Sequence, residues 1–212
     1  PISFAFGPHP RTKQELAYVT VADLSHADSI GEMASKVLDQ APGEQFALAG
    51  LSLGGYVAFE IMRQAPQRVL GLALLDTSAH ADSVEAKQGR QALMGKAEHD
   101  FAAVIAGLLP KLLHKHHLTD ASLVQVITAM ANSLGQAAFM RQQRAMLGRI
   151  DSRPGLAQIS CPTLVVCGRE DAITPLAMHQ ELAAAISGAQ LTVLDDCGPS
   201  SAAPGTTPAW AP

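Results

Sequence analysis

No window of this chain holds the roughly eighteen consecutive apolar residues that a membrane span requires, although 48% of its 212 residues are hydrophobic. The apolar residues are mostly Ala, Leu and Val spread along the whole length, and no membrane partner is expected. Basic residues are few, with 15 Lys and Arg against 19 Asp and Glu, a net charge of -4. That balance gives no electrostatic footprint for nucleic acid. The three cysteines, Cys161, Cys167 and Cys197, are an odd number at spacings that match no zinc or redox motif. Reduced thiols in a cytoplasmic setting are therefore expected. The opening "PISFAFGPHP" has no initiator Met and no basic region of a signal peptide, which leaves processing, a removed tag or a fragment open. A phosphate loop, a metal-ligand set, a dinucleotide fingerprint and internal repeats are all lacking, so no cofactor and no metal is expected.

What is present is a series of short apolar runs bounded by turn residues, as buried parallel strands should be. They are "YVTVADL" (Tyr18 to Leu24), "FALAG" (Phe46 to Gly50), "VLGLALLD" (Val69 to Asp76), "PTLVVCG" (Pro162 to Gly168) and "LTVLDD" (Leu191 to Asp196). Between them "SIGEMASKVLDQ", "GYVAFEIMRQAP" and "PLAMHQELAAAIS" repeat apolar residues at three and four, with Ser, Pro or Gly signals at their ends. Strand then helix, repeated, predicts an α/β fold with a doubly wound, mostly parallel sheet and right-handed crossovers. From about Ser83 to Ile150 the pattern is helical without a strand, which predicts an inserted helical lid. Pro110 should end or kink the first long helix there, and Thr119-Asp120 should cap the next. The division expected is a core of 1–82 and 151–198, a lid of 83–150, and a tail of 199–212 whose composition cannot bury a core face and is expected to be disordered.

The turn between "FALAG" and "GGYVAFEIMRQ" is Gly50-Leu51-Ser52-Leu53-Gly54. A bare G-x-S-x-G is a weak signal, but a strand before it and a helix after it make it a candidate nucleophile elbow. Glycines on both sides should permit a strained serine, because a Cβ at either position would strike the neighbouring strand or helix. The helix that follows would aim its free amides and its positive dipole end at the same place, ready to receive an oxyanion. A glycine-rich turn with a capping serine is the competing reading. Asp171 follows a buried strand through "CGRED" at the carboxyl edge, where a carboxylate can orient an imidazole. Glu170 is its near competitor, a helix cap its alternative role, and Asp76 at the end of "LALLD" the second choice.

With these motifs the sequence resembles the α/β-hydrolase superfamily from about Tyr18 to Cys197, and most closely its small bacterial, lid-bearing serine hydrolases of carboxylesterase type. The likeness is carried by "ADLSHADSI", "GLSLGGYVAFEIMRQAPQRVLGLALLDTSA" and "CPTLVVCGREDAITP". It implies Ser52 as nucleophile, the Leu53 amide as an oxyanion donor and Asp171 as the acid. It also implies termini that are truncated or altered. The superfamily order calls for a histidine after the last strand, whereas this chain has Pro199 after "CG", and no histidine follows His179. The tail "PSSAAPGTTPAWAP" reads as a shifted frame or a replaced terminus, while "GPHP" reads as the remnant of a loop that supplies the second oxyanion amide.

Three further histidines are candidate partners of Ser52. His179 lies eight residues beyond Asp171 on a helix. His26, after "VADL", and His80, after the strand ending in Asp76, are placed on the carboxyl edge as substrate-proximal candidates. "HKHH" (His114 to His117) reads as cations at a helix end. Met130, Met140 and Met146 should pack or line an acyl pocket. The function expected is hydrolysis of a carboxylic ester or similar acyl bond of a small molecule through an acyl-enzyme, impaired by the missing histidine. The alternatives are a carbon-carbon bond hydrolase of the same fold or an inactive ligand-binding homologue.

Overall fold

The computed structural model describes residues 19–41, 43–113 and 118–195. Among them four parallel strands, β1 (Phe46–Leu51), β2 (Val69–Leu75), β3 (Thr163–Gly168) and β4 (Gln190–Leu194), lie side by side in chain order. The register aligns Leu51 with Leu75, Leu75 with Val166 and Gly168 with Leu194, so the carboxyl ends of all four share one edge. Every segment that follows a strand therefore starts from that edge.

Helices α1 (Ile30–Gln40), α2 (Leu53–Gln64) and α6 (Leu176–Ala185) cover one face of the sheet. Ser29 starts α1 by accepting the Glu32 amide with its hydroxyl, and Glu32 adds an acidic group in the first turn. Met33, Ile61, Leu74, Val165, Leu182 and Ile186 are almost completely buried between these helices and the sheet. Each such large apolar side chain contributes roughly 1.5–3 kcal/mol over leaving it in water. On the opposite face Leu51, Leu75, Val166 and Leu194 form a smaller cluster.

Between β2 and β3 the chain forms α3 (Val84–His99), α4 (Phe101–Leu112) and α5 (Ala121–Leu147). Pro110 lies two residues before the end of α4, and Asp120 caps α5 by accepting the Ser122 and Leu123 amides. Gly135, with φ 76° and ψ 169°, kinks α5. Helix α5 is, among the described residues, the one long and apolar enough to cross a membrane by length and composition. Its second half instead engages the loop after residue 22, where Arg141 and Gln142 donate to the carbonyls of Ser25 and Leu24.

One strand expectation fails. Residues 19–24 take no strand, because none of the described residues pairs with them, and Val21 is 51% exposed. Tyr18, Cys197, Pro199, the "GPHP" and "HKHH" segments and the 199–212 tail lie outside the described residues.

Candidate active site

The Gly50-to-Gly54 turn carries β1 directly into α2 with Ser52 as the helix cap. Ser52 has φ 49° and ψ -111°, a sparsely populated backbone geometry that costs about 1–3 kcal/mol and persists only where its surroundings over-determine it. Here they do so from several directions. The Ser52 amide donates to the Leu75 carbonyl at 3.0 Å. The Ser52 carbonyl accepts the Gly55 amide at 2.9 Å and the Thr77 hydroxyl at 2.9 Å. A Cβ on Gly50 would stand 2.3 Å from the Gly54 carbonyl oxygen, as the turn requires. The expectation of a second clash at Gly54 is corrected, since nothing lies within 4 Å of a Cβ there. The close approach is at Gly55, where a Cβ would meet the Thr77 hydroxyl at 2.3 Å. Leu53 is the first residue of α2, so its amide has no acceptor within the helix.

Asp171 is 4% exposed on the loop between β3 and α6. Its Oδ1 accepts the amides of Ile173 and Thr174 at 2.7 and 2.9 Å, and its Oδ2 accepts the Thr174 hydroxyl at 2.6 Å. The capping role is therefore real, and a carboxylate has acceptor capacity to combine it with another. Asp76, 2% exposed and with φ 41°, accepts the Gly168 amide at 3.1 Å and so joins the end of β2 to the start of that loop.

His179 joins this pair. Ligand atoms of Asp76, Asp171 and His179 all lie within 4.8 Å of one another, and the imidazole is fully buried. The Thr77 amide donates to His179 Nε2 at 3.1 Å, so Nε2 must be the unprotonated nitrogen, and Nδ1 faces the Pro175 carbonyl at 3.4 Å. With both nitrogens engaged, His179 is neither a free base nor a metal ligand. The three groups face one another at the carboxyl edge of the sheet, each bonded to the surrounding backbone. Burial pushes the His179 pKa below the ordinary value of 6.5, against smaller upward effects of the Pro175 carbonyl and Asp171. The Cys167 thiol, buried beside Asp76 and Asp171, is pushed up to about 11 and stays protonated.

A depressed imidazole pKa destabilises the fold in mild acid. Above about pH 6.5 neither state binds the proton, while just below it the unfolded chain takes the proton up before the native chain does, so stability falls by at most about 1.4 kcal/mol per pH unit. The lowered carboxyl groups Asp23, Glu60 and Asp151 act only below the ordinary carboxylate range, outside this window. Urea unfolding at pH 7.5 and 5.5 is expected to show this loss in the wild type, and a smaller loss in His179→Gln.

The other histidine candidates are held elsewhere. His26 is exposed and paired with Asp23 at 3.1 Å. His80 Nε2 lies 2.5 Å from Glu181 Oε2, and Arg153 stands behind that carboxylate at 3.8 Å. A cavity of about 810 Å³ lies against the sheet and is bounded by Leu24, Val37, Leu48, Ala73 and Leu164. Its described lining includes neither Ser52 nor Asp171. Thr77 is the residue that sequence reasoning missed, and only its position just after a strand end hinted at it.

The pattern of the alpha/beta hydrolase fold matches residues 4–203. This chain belongs to that family. A thermophilic esterase from Thermogutta terrifontis superposes on it with a TM-score of 0.75 and 30% identity, over 86% of this chain and 68% of that one. The pimeloyl-[acyl-carrier protein] methyl ester esterase of Nitrosomonas europaea is 25% identical, over 81% of this chain and 70% of that protein. The dihydrolipoyllysine-residue acetyltransferase component of the acetoin cleaving system of Cupriavidus necator is 29% identical over 90% of this chain. This chain spans about half, 49%, of that relative's length.

Proposed function

We propose that this family member is a serine hydrolase that cleaves a carboxylic ester or similar acyl bond of a small molecule. The observation that carries the reading is the strained Ser52 at the mouth of α2, directly after β1. In this reading the Ser52 hydroxyl attacks the carbonyl carbon, and the oxyanion is received by the Leu53 amide at the helix start. A base takes the serine proton and passes it to the leaving oxygen, so the intermediate collapses to an acyl-serine and the free alcohol, and water then hydrolyses the acyl-serine to the acid and Ser52. Asp171 is the carboxylate that would orient the base. The esterase relatives support the substrate class.

A second reading, that the fold binds such a ligand without turning it over, is favoured by one observation. Among the described residues no histidine hydrogen-bonds the Ser52 hydroxyl: His26 is paired with Asp23, His80 with Glu181, and His179 with the Thr77 amide and the Pro175 carbonyl. Labelling by a fluorophosphonate probe, read by intact mass and peptide mapping, separates the two. The hydrolase reading expects one label per chain, on Ser52 alone, and none on Ser52→Ala. No label on the wild type, or a label elsewhere, overturns it in favour of binding alone.

A further inference from the structure

Beyond the nucleophile and its acid, the elbow has a support of its own. We infer that Thr77 and His179 are positioning residues for Ser52. The imidazole of His179 holds the Thr77 amide, and Thr77 in turn holds the Ser52 carbonyl, which keeps the turn and the Leu53 amide in their strained arrangement. The inference rests on the proposed role of Ser52 for its catalytic meaning, though not for its structural content.

Three observations carry it. The Thr77 residue is completely buried, so its amide needs a protein acceptor, and His179 Nε2 at 3.1 Å supplies one across 102 positions of sequence. The Thr77 hydroxyl donates to the Ser52 carbonyl at 2.9 Å, the same oxygen that accepts the Gly55 amide. The Thr77 side chain also packs so tightly on Gly55 that no Cβ fits between them. One residue thus restrains the elbow both through the Ser52 carbonyl and through the first turn of α2. An imidazole suits the far end of this chain of bonds because one nitrogen can accept from Thr77 while the other donates to the Pro175 carbonyl, 3.4 Å away. A protonated ring would have two donors and would oppose the Thr77 amide. Asp76 and Asp171 are the charged groups facing the ring.

The test has two arms. Nitrogen-15 spectra of the wild-type chain at pH 8 should show His179 as the neutral Nδ1–H tautomer. An Nε2–H tautomer, or a titration near pH 6.5, overturns the inference without any variant being made. Hydrogen exchange at the Gly55 and Tyr56 amides, which both donate to the Ser52 carbonyl, should be at least tenfold faster in Thr77→Val than in the wild type. Thr77→Ser, which keeps the hydroxyl, should exchange as the wild type, and His179→Gln, whose Oε1 can accept the Thr77 amide, should stay closer to it than His179→Leu. Equal exchange in Thr77→Val and the wild type overturns the inference. The fluorophosphonate rate at Ser52 should fall about tenfold in Thr77→Val and return in Thr77→Ser. If the wild type takes no label, the hydrolase reading fails while the spectra and exchange still decide the positioning role.

Discussion

Gly50→Ala is expected to cost about 3 kcal/mol or more of folding stability and to abolish labelling of Ser52. A Cβ at this position would lie 2.3 Å from the Gly54 carbonyl oxygen, 2.5 Å from its carbon and 2.7 Å from the Gly55 nitrogen. All three are backbone atoms of the first turn of α2, so no side-chain rotation relieves the contact. Relief requires the end of β1 and the start of α2 to separate. That movement strains the Ser52 amide bond to Leu75 and the contact of Gly55 with Thr77. Ordinary overpacking costs about 1–3 kcal/mol because flexible neighbours yield, and here the neighbours are rigid. Gly54→Ala is the control, since it has open space around it and lies inside the helix. It should leave stability unchanged or raise it by up to about 1 kcal/mol through helix propensity. Urea midpoints for the two variants check this, and a Gly50→Ala chain as stable as the wild type would mean that the elbow is looser than its contacts imply.

The difference between these two glycines marks where the sequence stops being informative. Strands β1 to β4 were legible because each is a short apolar run closed by a turn residue, and the strand-to-helix change around Ser52 was legible because the period of the apolar residues switches there. Parallel order then placed Ser52, Asp76 and Asp171 on one edge. Which glycine meets a neighbour was not legible, because Gly54 and Gly55 are equivalent in composition and only Thr77, 22 positions beyond Gly55, distinguishes them. The same limit hid the bond from Thr77 to His179, whose partners are 102 positions apart. Residues 19–24 show the opposite failure. Their short apolar run fits a strand, but strand structure also needs a hydrogen-bonding neighbour, and none of the described residues provides one.

The helical segment between β2 and β3 is tied down at both ends by one buried carboxylate. Asp82 stands just before the Ser83 cap of α3, and its side chain is 4% exposed. Arg90 from α3 reaches it at 2.6 Å and Arg149, two residues beyond α5, at 2.8 Å. Arg149 also stacks on the Tyr56 ring of α2 at 4.2 Å and donates to the His80 carbonyl, while Arg90 donates to Gln143 of α5. Removing the carboxylate leaves two guanidinium groups facing each other, one of them, Arg149, only 9% exposed. Breaking a buried pair in this way costs about 3–5 kcal/mol, chiefly as the penalty of the charge left behind. Asp82→Ala is therefore expected to lose about 3 kcal/mol, because Arg90 is 23% exposed and recovers some hydration. Asp82→Asn, which keeps the shape and loses the charge, should lose less. The loss should be local at first, with hydrogen exchange rising in α3 and at the end of α5 while β1 to β4 keep their protection. Combining Asp82→Ala with Arg149→Met should cost less than the sum of the two single changes, because the second removes the charge that the first strands. Additive losses would mean that Asp82 acts only through packing, and that the two ends of the helical segment are held to the core independently.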